Sequence, residues 1–242
     1  MKGLLLDLDD TLVTYGPGGD ELWLHLAREA GAADMGTEPL LAAFHKSMRW
    51  LWQTPEHHRR TRVDALNGWA NVSRLAFEAV GLKLDEPAAT KLAAAFLDGL
   101  IERLELLPGA RETLVEARRR GIRLALVTNG DARFQRRKLA RHHLTDYFAA
   151  LVFEGESGFG KPDPAIYRLA LTRLGLTAAD AWMAGDNLEF DVAGPQRVGI
   201  RAAWVNRGGH ATPPGAKPDR VVRSVQELLD GDVCQNPDMG QG

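Results

Sequence analysis

The sequence predicts an α/β fold: a parallel sheet covered on both faces by helices, interrupted after its first strand by an all-helical insert. Three observations carry that expectation. A short, wholly apolar run, Leu4-Leu5-Leu6, stops at acids, which is how a buried central strand of a parallel sheet reads. Four more apolar runs follow beyond residue 120, and helical patterns separate them, the alternation that right-handed βαβ crossovers require. Between the first strand and those runs, residues 16 to about 105 show helical periodicity alone.

The first strand leads into Tyr15-Gly16-Pro17-Gly18-Gly19, a turn-rich stretch. Asp20 then suits an N-cap for a helix carrying Leu22, Trp23, Leu26, Ala27 and Ala30, with Gly31 as its stop. Three further apolar stripes repeat at helical spacing: Leu40 to Trp52, Trp69 to Val80, and Leu92-Phe96-Leu100-Leu104. Their leucines and aromatics read as helix packing. Leu107-Pro108-Gly109 ends this region. A helix over 110–120 leads to a strand over 122–127, and a helix over 132–142 to a strand over 149–153. A helix after Pro164 leads to a strand over 181–184, and a short helix near Val192 to a strand over 201–205. Residues 207–219 are Gly- and Pro-rich loop, 221–229 a last strand-and-helix fragment, and 231–242 a polar, frayed tail. The expected domains are therefore a core of residues 1–15 and 106–230 and an insert of 16–105.

The chain's 242 residues suffice for a large core, and 45% hydrophobic with 26% charged content is ordinary for a globular protein. The net charge of −2 gives no electrostatic pull toward nucleic acid or a membrane surface. The lone cysteine, Cys234, supports neither an internal disulfide nor a cysteine metal site. No apolar stretch has the length of a leader or a membrane span, so a cytoplasmic location is expected.

The chemistry gathers at strand ends, where open α/β sheets bind ligands. The first strand ends in Asp7-Leu8-Asp9-Asp10-Thr11. Strand alternation would put Asp7 and Asp9 on one side, within a few ångströms of each other. Two such acids repel, and a divalent cation, a lysine or a shared proton would relieve the cost. Asp-Asp-Thr is also ordinary turn chemistry. The second strand ends in Thr128-Asn129-Gly130-Asp131, a hydroxyl and an amide before a helix start, where an anion can sit and where Asp131 can simply cap. Next comes Gly160-Lys161-Pro162-Asp163-Pro164, a capped helix start with Lys161 just outside it. The fourth strand ends in Gly185-Asp186-Asn187, with Asp191 five residues after Asp186. An oxygen-rich acidic set without Cys or clustered His selects magnesium over zinc, with Asp186 a direct ligand and Asp191 a partner behind it.

Together, Asp7-x-Asp9-x-Thr11, Thr128-Asn129, Lys161 and Gly185-Asp186 with Asp191 resemble the four motifs of the haloacid dehalogenase-like hydrolase superfamily, and the insert resembles its type-one helical cap. The resemblance covers nearly the whole chain except the tail. It implies a Rossmann-like core of strand order 5-4-1-2-3. It also implies a magnesium-dependent phosphatase acting on a small phosphorylated metabolite through an aspartyl-phosphate. Asp7 would be the nucleophile and Asp9 the acid and base. Lys161 would neutralise charge, and Thr128, Asn129 and Lys161 would hold the phosphate. Asp7 and Asp186 would bind Mg2+ through side chains and Asp9 through its backbone carbonyl. The presence of Asp9 argues against the dehalogenase and phosphonate-cleaving branches, which lack that acid. A sugar-phosphate mutase remains an alternative, as does a non-catalytic phosphate- or metal-binding regulator. The basic run His57 to Arg62 reads first as a solvated helix face. Arg59 within it, and Arg49 beside Trp50, are weaker candidates for substrate contact. Phosphoglycolate, sugar phosphates and nucleoside monophosphates are all open as substrates, and a monomer or a homodimer as the assembly.

Overall fold

The computed structural model describes residues 1–230. Cys234 and the polar tail lie outside the described residues. The chain divides into two compact units, one of Met1–Thr14, Leu106–Asn129 and the residues from His142 on, the other of Tyr15–Glu105 and Gly130–Arg141.

The strands are β1 (Gly3–Leu6), β2 (Val13–Tyr15), β3 (Leu104–Leu106), β4 (Arg123–Thr128), β5 (Ala150–Phe153), β6 (Ala181–Gly185), β7 (Arg201–Val205) and β8 (Arg220–Val222). β2 and β3 pair with each other, and the other six form one sheet of order β5-β4-β1-β6-β7-β8. Every neighbouring pair in that sheet is parallel. Numbered along the core, the first five strands stand in the expected order 5-4-1-2-3. The correction is a sixth strand, β8, which extends the sheet beyond β7. The sequence predicts a strand-and-helix fragment over 221–229; what it does not say is that the strand of that fragment, Arg220–Val222, pairs with β7 and joins this sheet.

β1 lies in the middle, with Leu4 registered against Leu124 on one side and Trp182 on the other. Successive strand residues face opposite ways, so a central strand between two helical layers must be apolar throughout. Leu4, Leu5 and Leu6 are all fully buried. Leu5 joins Val127, Val152 and Met183 in a cluster on one face.

The helices of the second unit are α1 (Gly19–Ala27), α2 (Thr37–Trp52), α3 (Pro55–Val63), α4 (Ala65–Ala79) and α5 (Glu86–Glu102). α6 (Ala110–Arg119) follows in the first unit. α7 (Ala132–Arg141) groups with the second unit, where Arg137 pairs with Asp98 at 2.6 Å and Phe134 packs on the helical core. α8 (Glu154–Ser157) and α9 (Pro164–Leu174) belong to the first unit; Ile166, Tyr167 and Ala170 of α9 complete the Leu5 cluster. Asp20 is not the cap of α1. Gly18, at φ 96°, holds that position without a side-chain bond, and Asp20 sits in the first turn, 2.9 Å from His45 Nε2. The basic run forms α3, capped by Thr54, whose hydroxyl accepts the His57 N–H at 3.1 Å.

The second unit is organised on Trp23, whose ring stacks on Phe44 at 4.1 Å, while its indole N–H donates to Ser73 Oγ at 3.1 Å. Both rings are buried. Trp23→Ala would leave a ring-sized void and an unpaired serine, and the expected cost is about 3–5 kcal/mol. Urea unfolding checks this; a loss below about 1 kcal/mol would show that the pocket collapses around the gap.

No described helix is long and apolar enough to cross a membrane.

Candidate active site

β1 ends at Leu6, but the Asp7 N–H still donates to the Ala184 carbonyl at 3.0 Å, so Asp7 is tied to the carboxyl end of the sheet. The chain then curls instead of continuing straight. The Leu12 N–H returns to the Leu8 carbonyl at 2.9 Å, and Asp10 takes a left-handed φ of 54°. The Thr14 hydroxyl donates to Asp10 Oδ1 at 2.7 Å and steadies that turn. Strand parity therefore does not place Asp9; this turn does.

Lys161 reaches the same place from a different element. Its Nζ lies 2.8 Å from Asp7 Oδ1 and 2.6 Å from Asp191 Oδ1. All three side chains are buried. Just beyond it, Asp163 accepts the Ala165 N–H at 2.8 Å and starts α9, with Pro164 in the first turn.

The acidic loop after β6 is held from several directions. A π-helical turn, Leu188–Ala193, follows Asn187, whose side chain accepts the N–H groups of Glu189 and Phe190 at 3.0 Å each. Asp191 Oδ2 accepts the Asn187 N–H at 3.0 Å. Trp204 on β7 donates its indole N–H to the Asp186 carbonyl at 2.8 Å, and the Tyr167 hydroxyl of α9 donates to the Phe190 carbonyl. Sequence reasoning missed Trp204 and Tyr167, because an aromatic within an apolar run carries no mark of a polar duty.

Thr128 and Asn129 close the β4 end. Asp7, Asp9, Thr128, Asn129, Lys161 and Asp186 together line one open pocket of about 180 Å³. Asp131 takes the bland role foreseen for it, accepting the Phe134 N–H at 2.8 Å as the cap of α7. Arg49 on α2 and Arg59 on α3 are both exposed.

Burial, the largest influence, pushes the Asp7 carboxyl up to about 7, against the pull of the Lys161 ammonium and with the further push of Asp191. Burial likewise raises Asp186 to about 6, with Asp7 and Asp10 adding to it. Asp191 is raised too, again by burial first. Lys161 is held above its ordinary value, because attraction by Asp191 and Asp7 outweighs its own burial.

These shifts describe carboxyls that burial, first of all, makes costly to ionise, with neighbouring acids adding to the cost. The carboxylate oxygens of Asp7, Asp186 and Asp191 come within 4.8 Å of one another, and Lys161 is the cation paired with two of them. Asp191 has both oxygens occupied, one by Lys161 and one by the Asn187 N–H. Asp7 and Asp186 are the other two acids of this set that could hold a cation, and an all-oxygen donor set suits Mg2+. The residues present fit that ion.

A family model described as haloacid dehalogenase-like hydrolase matches residues 1–199. The phosphoserine phosphatase of Thermus thermophilus is 37% identical, over 95% of this chain and 98% of that one. The glyceraldehyde 3-phosphate phosphatase of Pyrococcus abyssi is 33% identical, over 95% of this chain and 92% of the relative. Among solved structures, the magnesium-bound HAD-hydrolase YfnB of Bacillus subtilis shares the fold, with a TM-score of 0.72 at 23% identity, covering 95% of this chain and 97% of that one.

Proposed function

Since the chain belongs to the haloacid dehalogenase-like hydrolases, we propose that it is a magnesium-dependent phosphatase that hydrolyses a small phosphorylated metabolite through an aspartyl-phosphate on Asp7. One observation carries the reading. A buried carboxylate at the carboxyl end of the central strand is held 2.8 Å from a buried lysine, in a pocket also lined by Thr128, Asp9 and Asp186.

The chemistry follows from charge. A carboxylate and a phosphate monoester repel, so the attack needs positive groups around it. Asp7 and Asp186 would hold Mg2+, which would supply positive charge to offset that repulsion. Lys161 holds Asp7 by Oδ1, which leaves Oδ2 to attack phosphorus. The new bond joins Asp7 to phosphorus, and the bond to the leaving oxygen breaks. Asp9 gives that oxygen its proton, then takes a proton from the water that cleaves the aspartyl-phosphate. Inorganic phosphate leaves and the Asp7 carboxylate is restored. The Thr128 hydroxyl and the backbone N–H of Asn129 hold the phosphate oxygens.

O-phosphoserine is the first substrate to try, because the 37% identical relative bears that name over nearly its full length. The test is phosphate release from a panel of small phosphomonoesters by the purified chain with Mg2+. Turnover of at least one ester is expected, and silence across the panel sinks the reading. Chelating the divalent cation should lower the rate at least about 100-fold, with recovery on adding Mg2+. A rate untouched by chelation would remove the metal from the account.

A further inference from the structure

We propose that Asn129 is a positioning residue, whose side chain clamps the backbone of Lys161 and so sets where the Lys161 ammonium stands. The proposal deepens the phosphatase reading and rests on it for its catalytic consequence.

Asn129 uses both ends of its amide on one residue. Its Oδ1 accepts the Lys161 N–H at 2.7 Å, and its Nδ2 donates to the Lys161 carbonyl at 2.8 Å. The pair copies the two-bond exchange of neighbouring strands, at a point where the chain has no strand. Lys161 lies in a turn and precedes a proline, so it has no helix or ladder of its own to fix it. Its side chain has four rotatable bonds yet must reach two carboxylates at once, which requires a backbone held in one place.

A second observation points the same way. A Cβ on Gly160 would stand 2.6 Å from Asn129 Oδ1 and 2.5 Å from Glu154 Cδ. The residue before Lys161 is thus pressed against the clamp, at a distance that only glycine permits. Asn129 Oδ1 is taken by the Lys161 N–H, so the phosphate contact proposed above is assigned to the residue's own backbone N–H and not to its side chain.

The test uses the full chain with p-nitrophenyl phosphate and Mg2+, and a separate measurement needing no turnover. Asn129→Ala should lower kcat by about 10- to 100-fold, while KM moves by less than about threefold. In a Lys161→Ala background the same change should cost less than about threefold, because a clamp has nothing left to position. In parallel, lysines are acylated with N-hydroxysuccinimide acetate and read by mass spectrometry. Lys161 and Lys138 are both buried, so both start protected. Asn129→Ala should raise labelling of Lys161 at least about tenfold and leave Lys138 unchanged. Asn129→Asp keeps the acceptor toward the Lys161 N–H and should fall between.

Higher KM with kcat kept would make Asn129 a direct substrate contact and overturn the proposal. Unchanged protection of Lys161, or equal exposure of Lys138, would also overturn it, the latter by marking general loosening. If the wild-type chain hydrolyses no ester, the phosphatase reading fails, and the labelling still decides the clamp.

Discussion

Asp7→Asn is expected to abolish phosphate release, with kcat falling at least about ten-thousand-fold, while the chain stays folded. Asparagine fills the same space and its amide oxygen can still accept from Lys161 at the Asp7 Oδ1 position. It cannot form a carboxylic–phosphoric anhydride under these conditions. The stability effect has a definite sign. Burial raises Asp7 to about 7 in the fold, whereas the unfolded chain titrates near 3.8. Between those values the folded state binds more protons, so stability drains away as pH rises from about 4 to 7. Without divalent cations, wild type should therefore melt below Asp7→Asn at pH 8, and the gap should close as pH falls toward 4. Each kcal/mol corresponds to about 2–4 °C in a chain of this size. A wild type that melts above the variant at pH 8 without metal would mean that the Lys161 pairing outweighs the cost of burying the Asp7 carboxylate.

The second large effect is expected at Gly185→Ala. The added Cβ would lie 2.3 Å from Asp191 Cγ, a distance no structure tolerates. Asp191 cannot swing aside cheaply, since it is fully buried and bonded to Lys161 on one oxygen and to the Asn187 N–H on the other. Either the β6 backbone shifts, or the buried ion pair breaks. Overpacking costs about 1–3 kcal/mol and losing a partner of a buried pair about 3–5 kcal/mol, so a loss of several kcal/mol is expected. Activity should fall with it, because Lys161 loses one of the two carboxylates that hold it. Thermal melting and phosphate release on the same preparation check this. A stable, active Gly185→Ala would show that Asp191 does not fix the lysine.

How legible the site was depends on the kind of information involved. Asp7, Lys161, Asp186 and Asp191 could be gathered from sequence because each follows or sits near an apolar run, and a parallel sheet brings such ends to one edge. Asp191 was expected as a partner behind Asp186; that Lys161 bridges it to Asp7, and that its other oxygen takes the Asn187 N–H, was not legible, because both depend on side-chain direction. Asn129 shows the limit well. Its type and place suggested a phosphate contact, but its hydrogen bonds go to a backbone 32 residues further on. Asp20 failed as a cap because Gly18 starts α1 earlier and His45 holds the acid from another helix. α7 looked like any crossover helix, yet the Arg137–Asp98 pair and Phe134 bind it to the helical unit. Those contacts join segments about 40 residues apart, and local periodicity is blind to them.

The late strand β8 bears on solubility. Among the described residues it is the last strand of the sheet, with no ladder partner on its outer side, and a bare strand margin invites a second chain to continue the sheet. Here the margin is three residues long, begins with Arg220 and is followed by Arg223. A neighbour docking there would gain few backbone bonds and would meet two cations, so this margin discourages chain-to-chain stacking even though Val221 is exposed.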